Sequence, residues 1–166
     1  AQIMQDFGKI DGLVTCAGIN HHADMFSYSY EDFANVLNVN VAGTYICCKH
    51  FAKYMIQAKQ GSIVNFGSMS GHVINIPPKV MVPYNTSKAA VIHMSKALAS
   101  ELGKYNVRCN SVSPGLMESG MSNIKGFNPA EKDYLNKLYS LTPLQRPIKM
   151  QELMGSIIYL LSDAAT

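Results

Sequence analysis

Short apolar runs alternate with longer amphipathic stretches along the 166-residue chain. Three of these runs have the length of a buried strand. Two of them end in a glycine, and the third is followed by a serine and a proline-glycine pair. They cover residues 10–18, 63–67 and 107–112. Each run is rich in valine, isoleucine or cysteine and carries few charges, so we expect strands that are buried on both faces.

Helical periodicity fills most of the chain between these runs. Ser29-Tyr30-Glu31-Asp32 matches a capping box, which predicts that a helix begins there. Helices are predicted at the start of the chain up to Phe7, over about 29–57 with a break near Gly43, and over about 84–105, 130–139 and 150–161. The helix at 84–105 is expected to bury one apolar face formed by Ala90, Val91, Met94, Ala97, Leu98 and Leu102.

Strands that alternate with helices at this spacing predict right-handed βαβ units and a parallel sheet. The expected fold class is α/β: a Rossmann-like, doubly wound parallel sheet with three layers. Three strands are few for such a sheet, and Ala1–Phe7 has the pattern of a helix already under way. We therefore expect residues 1–166 to form a single partial domain, which lacks an N-terminal βαβαβ portion and a C-terminal strand.

Composition narrows the classes of function. Apolar residues make up 48% of the chain and charged residues 15%, which argues against disorder and against a coiled coil. The formal charge of +3 is spread without any block of like charge, so nucleic acid is not an expected partner. The sequence contains no apolar stretch of the length of a membrane span, which is about 20 residues, and no membrane association is expected.

The four cysteines lie inside apolar runs without C-x-x-C spacing, so we expect buried free thiols and a reducing, cytoplasmic location. The five histidines show no ligand spacing with them, and no metal site is expected.

Two tyrosine–lysine pairs with the spacing Y-x-x-x-K occur, Tyr84 with Lys88 and Tyr45 with Lys49. The spacing alone carries little information, because a chain with nine tyrosines contains such a pair by chance. Tyr45 lies inside a predicted helix and is interpreted as structural. Tyr84 begins a helix and follows a strand that ends at Ser68, which makes this pair the candidate for chemistry.

A free phenol has a pKa near about 10 and is a poor base at neutral pH. An ammonium group about 4 Å away would lower the pKa of Tyr84 to about 7, where a general base works well. Because residues four apart share one helix face, Lys88 is expected to supply this charge. Ser68 could then hold the oxygen of a substrate.

Five ordered motifs together resemble the short-chain dehydrogenase/reductase family. They are Thr15-Cys16-Ala17-Gly18, Asn40-Val41-Ala42-Gly43, Ser68, Tyr84-Asn85-Thr86-Ser87-Lys88 and Asn110-Ser111-Val112-Ser113-Pro114-Gly115. The resemblance covers essentially the whole chain and implies an oxidoreductase that transfers a hydride between a nicotinamide cofactor, NAD or NADP, and a substrate.

The resemblance also implies roles for single residues. Tyr84 would be the catalytic acid/base, Ser68 would orient the substrate, Lys88 would hold the nicotinamide ribose, and Asn40 would hold a water in a proton relay. Besides Tyr84 and Lys88, the cofactor-binding residues would be Cys16, Ala17, Gly18, Pro114, Gly115, Met117 and Ser119. Cys16 stands where the family usually has asparagine, and Ser119 where it usually has threonine.

Within the family, the segments from Ser68 to Gly71 and from Tyr84 to His93 resemble the fungal polyol dehydrogenases and ketose reductases. A sugar alcohol or ketose is therefore the implied substrate. The resemblance further implies a homo-oligomer, a dimer or tetramer formed through the helices near 31–57 and 84–105. The glycine-rich loop G-x-x-x-G-x-G that grips the cofactor phosphates in this family does not occur in the chain.

Taken singly, these residues have ordinary explanations. Ser68 could cap a turn, Asn40 could bond within its helix, and Lys88 could be solvated. At the level of function, the alternative is an inactive relic, or an oligomer-forming subunit that uses the same helices for contact.

Overall fold

The structure is a computed structural model, which describes residues 2–21, 23–74, 81–117 and 129–166, without the side chain of Glu131. The described elements, in chain order, are α1 (Gln2–Phe7), β1 (Gly12–Thr15), α2 (Tyr30–Leu37), a π-helical segment (Asn38–Gly43), α3 (Thr44–Ala58), β2 (Gly61–Phe66), a 3₁₀ turn (Met69–Gly71), α4 (Val82–Leu102), a 3₁₀ turn (Gly103–Tyr105), β3 (Val107–Val112), α5 (Pro129–Ser140) and α6 (Met150–Leu161). The predicted strands and helices are thus confirmed.

The described strands form a parallel sheet in the order β1-β2-β3. Leu13 pairs with Ile63, and Ile63 pairs with Cys109, so these three side chains share one face of the sheet. They belong to the main hydrophobic core, which α3 and α4 cover with Cys48, Ala52, Met55 and Leu102.

The opposite face of the sheet carries α6. Ser62 and Arg108 are neighbours across β2 and β3, one position before Ile63 and Cys109, so their side chains point to this second face. Both donate hydrogen bonds to the carbonyl oxygen of Leu160, each at 2.7 Å, and Arg108 also donates to that of Ser162 at 2.9 Å. Helices on both faces confirm the three-layer α/β architecture.

The predicted break in the long helix is a change of helix type. Ser29 caps α2, since its hydroxyl oxygen accepts a hydrogen bond from the backbone N–H of Asp32 at 3.0 Å. After Leu37 the backbone becomes π-helical up to Gly43 and then returns to an α-helix. Such π segments are rare and occur frequently at functional sites, and this one contains the fully buried Asn40.

A buried polar network joins the elements near the ends of β1 and β2. The Asn65 side chain is fully buried on the face that α3 and α4 cover. Its Oδ1 accepts from the Thr15 hydroxyl at 2.7 Å and from the Cys48 thiol at 3.4 Å, while its Nδ2 donates to the Ser95 hydroxyl at 3.0 Å. Because buried polar groups without partners are costly, these bonds fix β1, β2, α3 and α4 relative to each other.

The buried face of α4 differs from the apolar face that was predicted for this helix. Val91 and Leu102 are buried as expected, but Ala97 is exposed. The buried face instead includes Ser87, Lys88, Ile92 and Ser95. Apolar periodicity does not reveal Ser87, Lys88 and Ser95 as buried positions. Their side chains also bond to residues on other elements, namely Asn40, Phe66 and Asn65.

The prediction for the cysteines was half correct. All four thiols are free, but only Cys48 and Cys109 are buried, whereas Cys16 and Cys47 are exposed. Cys16 follows Thr15, the last buried residue of β1, and Cys47 lies beside Cys48 on α3, where adjacent residues face different directions. None of the helices that the structure describes is long and apolar enough to span a bilayer.

Candidate active site

The carboxyl ends of the parallel strands bring the predicted site segments to one edge of the sheet. β1 leads into Cys16-Ala17-Gly18, β2 into Ser68, and β3 into Pro114-Gly115. Open α/β sheets bind their ligands at this edge.

Ser68 holds a tight turn and faces Tyr84. Its side chain is buried, and its oxygen accepts from the backbone N–H of Ser70 at 3.1 Å, so it caps the 3₁₀ turn that follows β2. The same side chain also interacts with the phenol of Tyr84 and acts to lower the pKa of that phenol. The capping explanation and the candidate role in the site therefore both apply to the same hydroxyl.

The start of α4 fixes Tyr84. Met81, just before the helix, has the left-handed φ of 56°, and its carbonyl accepts from the backbone N–H of Asn85 at 3.0 Å. Pro83 is fully buried at the beginning of the helix, where a proline needs no hydrogen-bond partner. The Asn20 side chain donates to the Met81 sulfur at 2.8 Å. A non-glycine residue at positive φ is a feature common at functional sites.

Lys88 lies one turn after Tyr84 and is buried rather than solvated. Its Nζ donates to the carbonyl oxygen of Phe66 at 2.9 Å and lies 5.7 Å from the centroid of the Tyr84 ring. The pair expected from the sequence is therefore assembled, with the ammonium group facing the ring and the end of β2.

The predicted effect on the pKa of Tyr84 is not what this geometry gives. Burial raises the pKa of Tyr84 above its ordinary value, and the hydrogen bond with Ser68 opposes that rise. Burial also lowers the pKa of Lys88, because a desolvated ammonium group is disfavoured.

Asn40 connects the β1 edge of the site with α4. Its Oδ1 accepts from the backbone N–H of Ile19 at 2.8 Å, and its Nδ2 donates to the Ile19 carbonyl and to the Ser87 hydroxyl, both at 2.9 Å. The Asn40 amide thus has both of its N–H groups in bonds to protein atoms. Its backbone carbonyl accepts a hydrogen bond from the Thr44 hydroxyl at 2.8 Å.

The segment after β1 lies close to the same groups. Cys16 and Ala17 are exposed, and Gly18 is half-buried. A Cβ atom at Gly18 would lie 3.4 Å from Asn40 Oδ1 and 3.5 Å from Lys88 Nζ, so the backbone approaches both side chains closely. Burial raises the pKa of the Cys16 thiol, and the positive charge of Lys88 opposes this rise.

The segment after β3 forms the other side of the site. The backbone N–H of Met69 donates to the Pro114 carbonyl at 2.9 Å, which ties this segment to the turn with Ser68. Met117 forms an isolated parallel bridge with Ile148, which precedes α6. Ser119 lies outside the described residues.

The second tyrosine–lysine pair lies on α3. Tyr45 is in the first turn of that helix and its side chain is 45% exposed. The structural interpretation of Tyr45 and Lys49 stays a prediction. Within the described part of the chain, no three His, Cys, Asp or Glu side chains are grouped in a way that could hold a metal ion.

The described residues fit one end of a dinucleotide cofactor. The backbone at Gly18 leaves no side chain between β1 and Lys88, and Cys16 and Ala17 are open to solvent at the carboxyl end of the strand. The Lys88 ammonium could donate to ribose hydroxyls, and the Pro114-Gly115 segment lies across the site from them. A Cβ at Gly115 would lie 3.5 Å from Ile148, an ordinary contact.

A parallel α/β sheet with polar side chains gathered at its carboxyl edge defines the class of nucleotide-binding α/β proteins. Comparison with known proteins agrees with this class, since the family model described as enoyl-(acyl carrier protein) reductase matches residues 1–166. The chain belongs to the short-chain dehydrogenase/reductase family.

Relatives from this family cover nearly the whole chain. An NADH-dependent L-xylulose reductase from Ambrosiozyma monospora is 37% identical over 99% of this chain and 61% of its own length. An NADP-dependent mannitol dehydrogenase from Alternaria alternata is 34% identical over 99% of this chain and 59% of its own. The crystal structure of an NAD⁺-bound xylitol dehydrogenase superposes with a TM-score of 0.87 at 32% identity, covering 99% of this chain and 66% of that one. The chain spans about three fifths of the length of the curated relatives.

Proposed function

We propose that the protein to which this chain belongs transfers a hydride reversibly between NAD(H) or NADP(H) and a sugar alcohol or its ketose. One observation carries the proposal. Ser68, Tyr84 and Lys88, which arise from two separate segments of the sequence, lie together at the carboxyl edge of the sheet. The Ser68 side chain acts to lower the pKa of the Tyr84 phenol, and the Lys88 Nζ lies 5.7 Å from the centroid of the Tyr84 ring.

Tyr84 and Ser68 have different roles in the proposed reaction. A bound nicotinamide cofactor supplies or accepts the hydride. Tyr84 donates a proton to the substrate oxygen during reduction and accepts it during oxidation. Ser68 binds the same oxygen as an uncharged partner for the charge that develops on it. Because burial favours the neutral phenol, the described site is prepared for proton donation, which is the reductive direction.

The remaining residues hold and orient the cofactor. Lys88 binds the nicotinamide ribose, and Cys16, Ala17 and Gly18 line the cofactor at the end of β1. Pro114, Gly115, Met117 and Ser119 contact the nicotinamide end. Asn40 acts mainly by keeping Ile19 and α4 in place, through the three hydrogen bonds of its amide.

The substrate class rests on the relatives. The curated relatives named above are a reductase of L-xylulose and a dehydrogenase of mannitol, and other relatives at 36% identity are D-arabinitol 2-dehydrogenases from Candida tropicalis and Candida albicans. Each name includes a polyol or ketose, and both NADH and NADP occur among the cofactors. The choice between NAD and NADP is assigned to residues outside this chain.

Residues 1–166 are proposed to form one partial domain of the family, with the phosphate-binding loop supplied by sequence that is not among them. We further propose a cytoplasmic homo-oligomer, a dimer or tetramer, assembled through the helices α2–α3 and α4. The alternative, an inactive subunit that only assembles, is less favoured because the Ser68–Tyr84–Lys88 arrangement is intact.

The test is an assay of the full-length product of the encoding gene. The protein is mixed with NAD⁺ or NADP⁺ and xylitol, arabinitol, mannitol or sorbitol, or with NADH or NADPH and the matching ketoses, and the absorbance of the reduced cofactor is followed. Turnover of at least one pair is expected. A protein that forms a stable oligomer, by light scattering, but neither binds nor turns over either nucleotide would support the alternative.

Lys88→Met in the same full-length protein is expected to separate cofactor binding from stability. Removing a buried ammonium relieves desolvation, whereas losing the bond to Phe66 costs stability, so the two effects oppose and Tm should stay within about 4 °C of the wild type. The Kd for NADH or NADPH should rise at least about tenfold, because a charged hydrogen bond to the cofactor is lost. Fluorescence titration and thermal unfolding measure both. An unchanged Kd would remove Lys88 from the cofactor site.

A further inference from the structure

The turn that carries Ser68 is held from both sides at very close range. A Cβ atom at Gly71 would lie 2.8 Å from the backbone of Lys88 and Ala89, so the turn packs directly against α4. A Cβ atom at Gly67 would lie 2.7 Å from the Ile92 side chain of α4 and 2.8 Å from the hydroxyl oxygen of Ser113, so this end of the turn packs against α4 and against the segment that follows β3. The position of Ser68 therefore depends on both neighbours.

Backbone hydrogen bonds join the first half of this turn to the end of β3 and to the segment that follows it. The N–H of Gly67 donates to the Val112 carbonyl at 2.8 Å, and that of Met69 donates to the Pro114 carbonyl at 2.9 Å. The second half of the turn is held by hydrogen bonds within the turn. The N–H of Gly71 donates to the Ser68 carbonyl oxygen at 3.0 Å, and the N–H of His72 donates to the Met69 carbonyl oxygen at 2.9 Å.

A side chain from the far end of the turn completes the connection. His72 Nε2 lies 3.0 Å from the hydroxyl oxygen of Ser113, the residue just before Pro114-Gly115. His72 is exposed and Ser113 is half-buried. This hydrogen bond links the end of the Ser68 turn to the start of the segment proposed to hold the nicotinamide.

We propose that His72 is a positioning residue: through Ser113 it fixes the distance between Ser68, which holds the substrate oxygen, and Pro114-Gly115, which holds the nicotinamide. The proposal rests on the function proposed above. Hydride transfer requires the two reactants in one narrow geometry, and a displacement of about 1 Å can cost up to about a hundredfold in rate. A single exposed hydrogen bond contributes little to folding. His72 should therefore matter more for turnover than for stability.

Three single variants of the full-length protein and the double variant His72→Leu/Ser113→Ala test this role. His72→Leu removes the ring nitrogen, His72→Gln places an amide nitrogen at a similar reach, and Ser113→Ala removes the partner hydroxyl. The readouts are kcat and KM for the best substrate pair, the Kd for NADH or NADPH by fluorescence titration, and Tm without cofactor.

For His72→Leu we expect kcat to fall about tenfold, the Kd of the reduced cofactor to rise about threefold to fivefold, and Tm to change by less than about 4 °C. His72→Gln should recover most of kcat. The double variant His72→Leu/Ser113→Ala should be no slower than His72→Leu alone, because the two residues act through one bond.

Other outcomes overturn the role of His72 while leaving the proposed function standing. The first such outcome is a wild-type kcat in His72→Leu. The second is a fall in kcat of the double variant that equals the product of the falls in the two single variants. The third is a fall in kcat of His72→Leu that is accompanied by a fall in Tm of more than about 4 °C. A wild-type protein that binds cofactor without turning over a polyol or ketose contradicts the proposed substrate class, and His72 is then judged by the Kd values. A wild-type protein that binds neither nucleotide overturns both proposals.

Discussion

Replacing Tyr84 with phenylalanine is expected to lower kcat of the full-length protein by about a thousandfold, which is within the usual contribution of a general acid or base. The substitution removes one oxygen atom and keeps the ring that packs near Lys88. The Kd for NADH or NADPH should therefore stay within about threefold of the wild type. Steady-state kinetics and fluorescence titration measure the two quantities on the same preparation.

Tyr45→Phe is the matched control for this experiment. It removes the same oxygen atom from the other tyrosine that precedes a lysine by four residues, at a side chain that is 45% exposed on α3. We expect its kcat to equal that of the wild type. If Tyr84→Phe kept most of its activity, or if both variants lost it equally, the mechanism proposed for Tyr84 would be wrong.

Much of the fold could be predicted from the sequence because its signals are local. The run Val107–Val112 has the composition and the boundaries of a strand, and Met150–Leu161 has helical periodicity; both elements have these limits in the structure. The position of a strand end then places Ser68 at the sheet edge, and helical spacing places Lys88 one turn after Tyr84. These relations follow from chain geometry alone.

Contacts between distant segments could not be predicted in the same way. Asn65 sits among apolar residues of β2, and this polar interruption was the only sign that it bonds Thr15 and Ser95. His72 and Ser113 are 41 residues apart, and neither belongs to a pattern that spacing reveals. The polarity of the buried face of α4 was missed for the same reason, since its partners are supplied by the tertiary fold.

The pKa of Tyr84 also depends on tertiary structure. The second large expected effect is therefore on the fraction of Tyr84 that is ionised near neutral pH. The sequence predicted a phenol that is ionised near neutral pH, whereas burial in the folded chain favours the neutral phenol. A pKa of about 7 would leave about nine tenths of Tyr84 ionised at pH 8, and a pKa above the ordinary value of about 10 would leave less than about one hundredth. The two cases differ by about a hundredfold in the population of tyrosinate.

Ultraviolet difference absorbance of the cofactor-free protein distinguishes these cases. The titration of Tyr84→Phe is subtracted from that of the wild type between pH 6 and about pH 11, so the difference reports Tyr84 alone. We expect no tyrosinate signal from Tyr84 below about pH 9, because raising the pKa extends the neutral form to higher pH. A full signal by pH 8 would contradict the rise that burial gives the pKa of Tyr84.

The same ultraviolet titration, repeated with bound cofactor, measures whether the cofactor lowers the pKa of Tyr84, as a role as base in alcohol oxidation requires. Oxidation of an alcohol needs the ionised phenol, and Ser68 opposes the effect of burial on the pKa of Tyr84. If NAD⁺ or NADP⁺ moves the titration of Tyr84 toward neutral pH, the positive charge of the oxidised nicotinamide stabilises the ionised phenol. Ser68→Ala should then move the titration back to higher pH, since its hydrogen bond opposes the effect of burial. A titration unmoved by Ser68→Ala would remove Ser68 from the control of this proton.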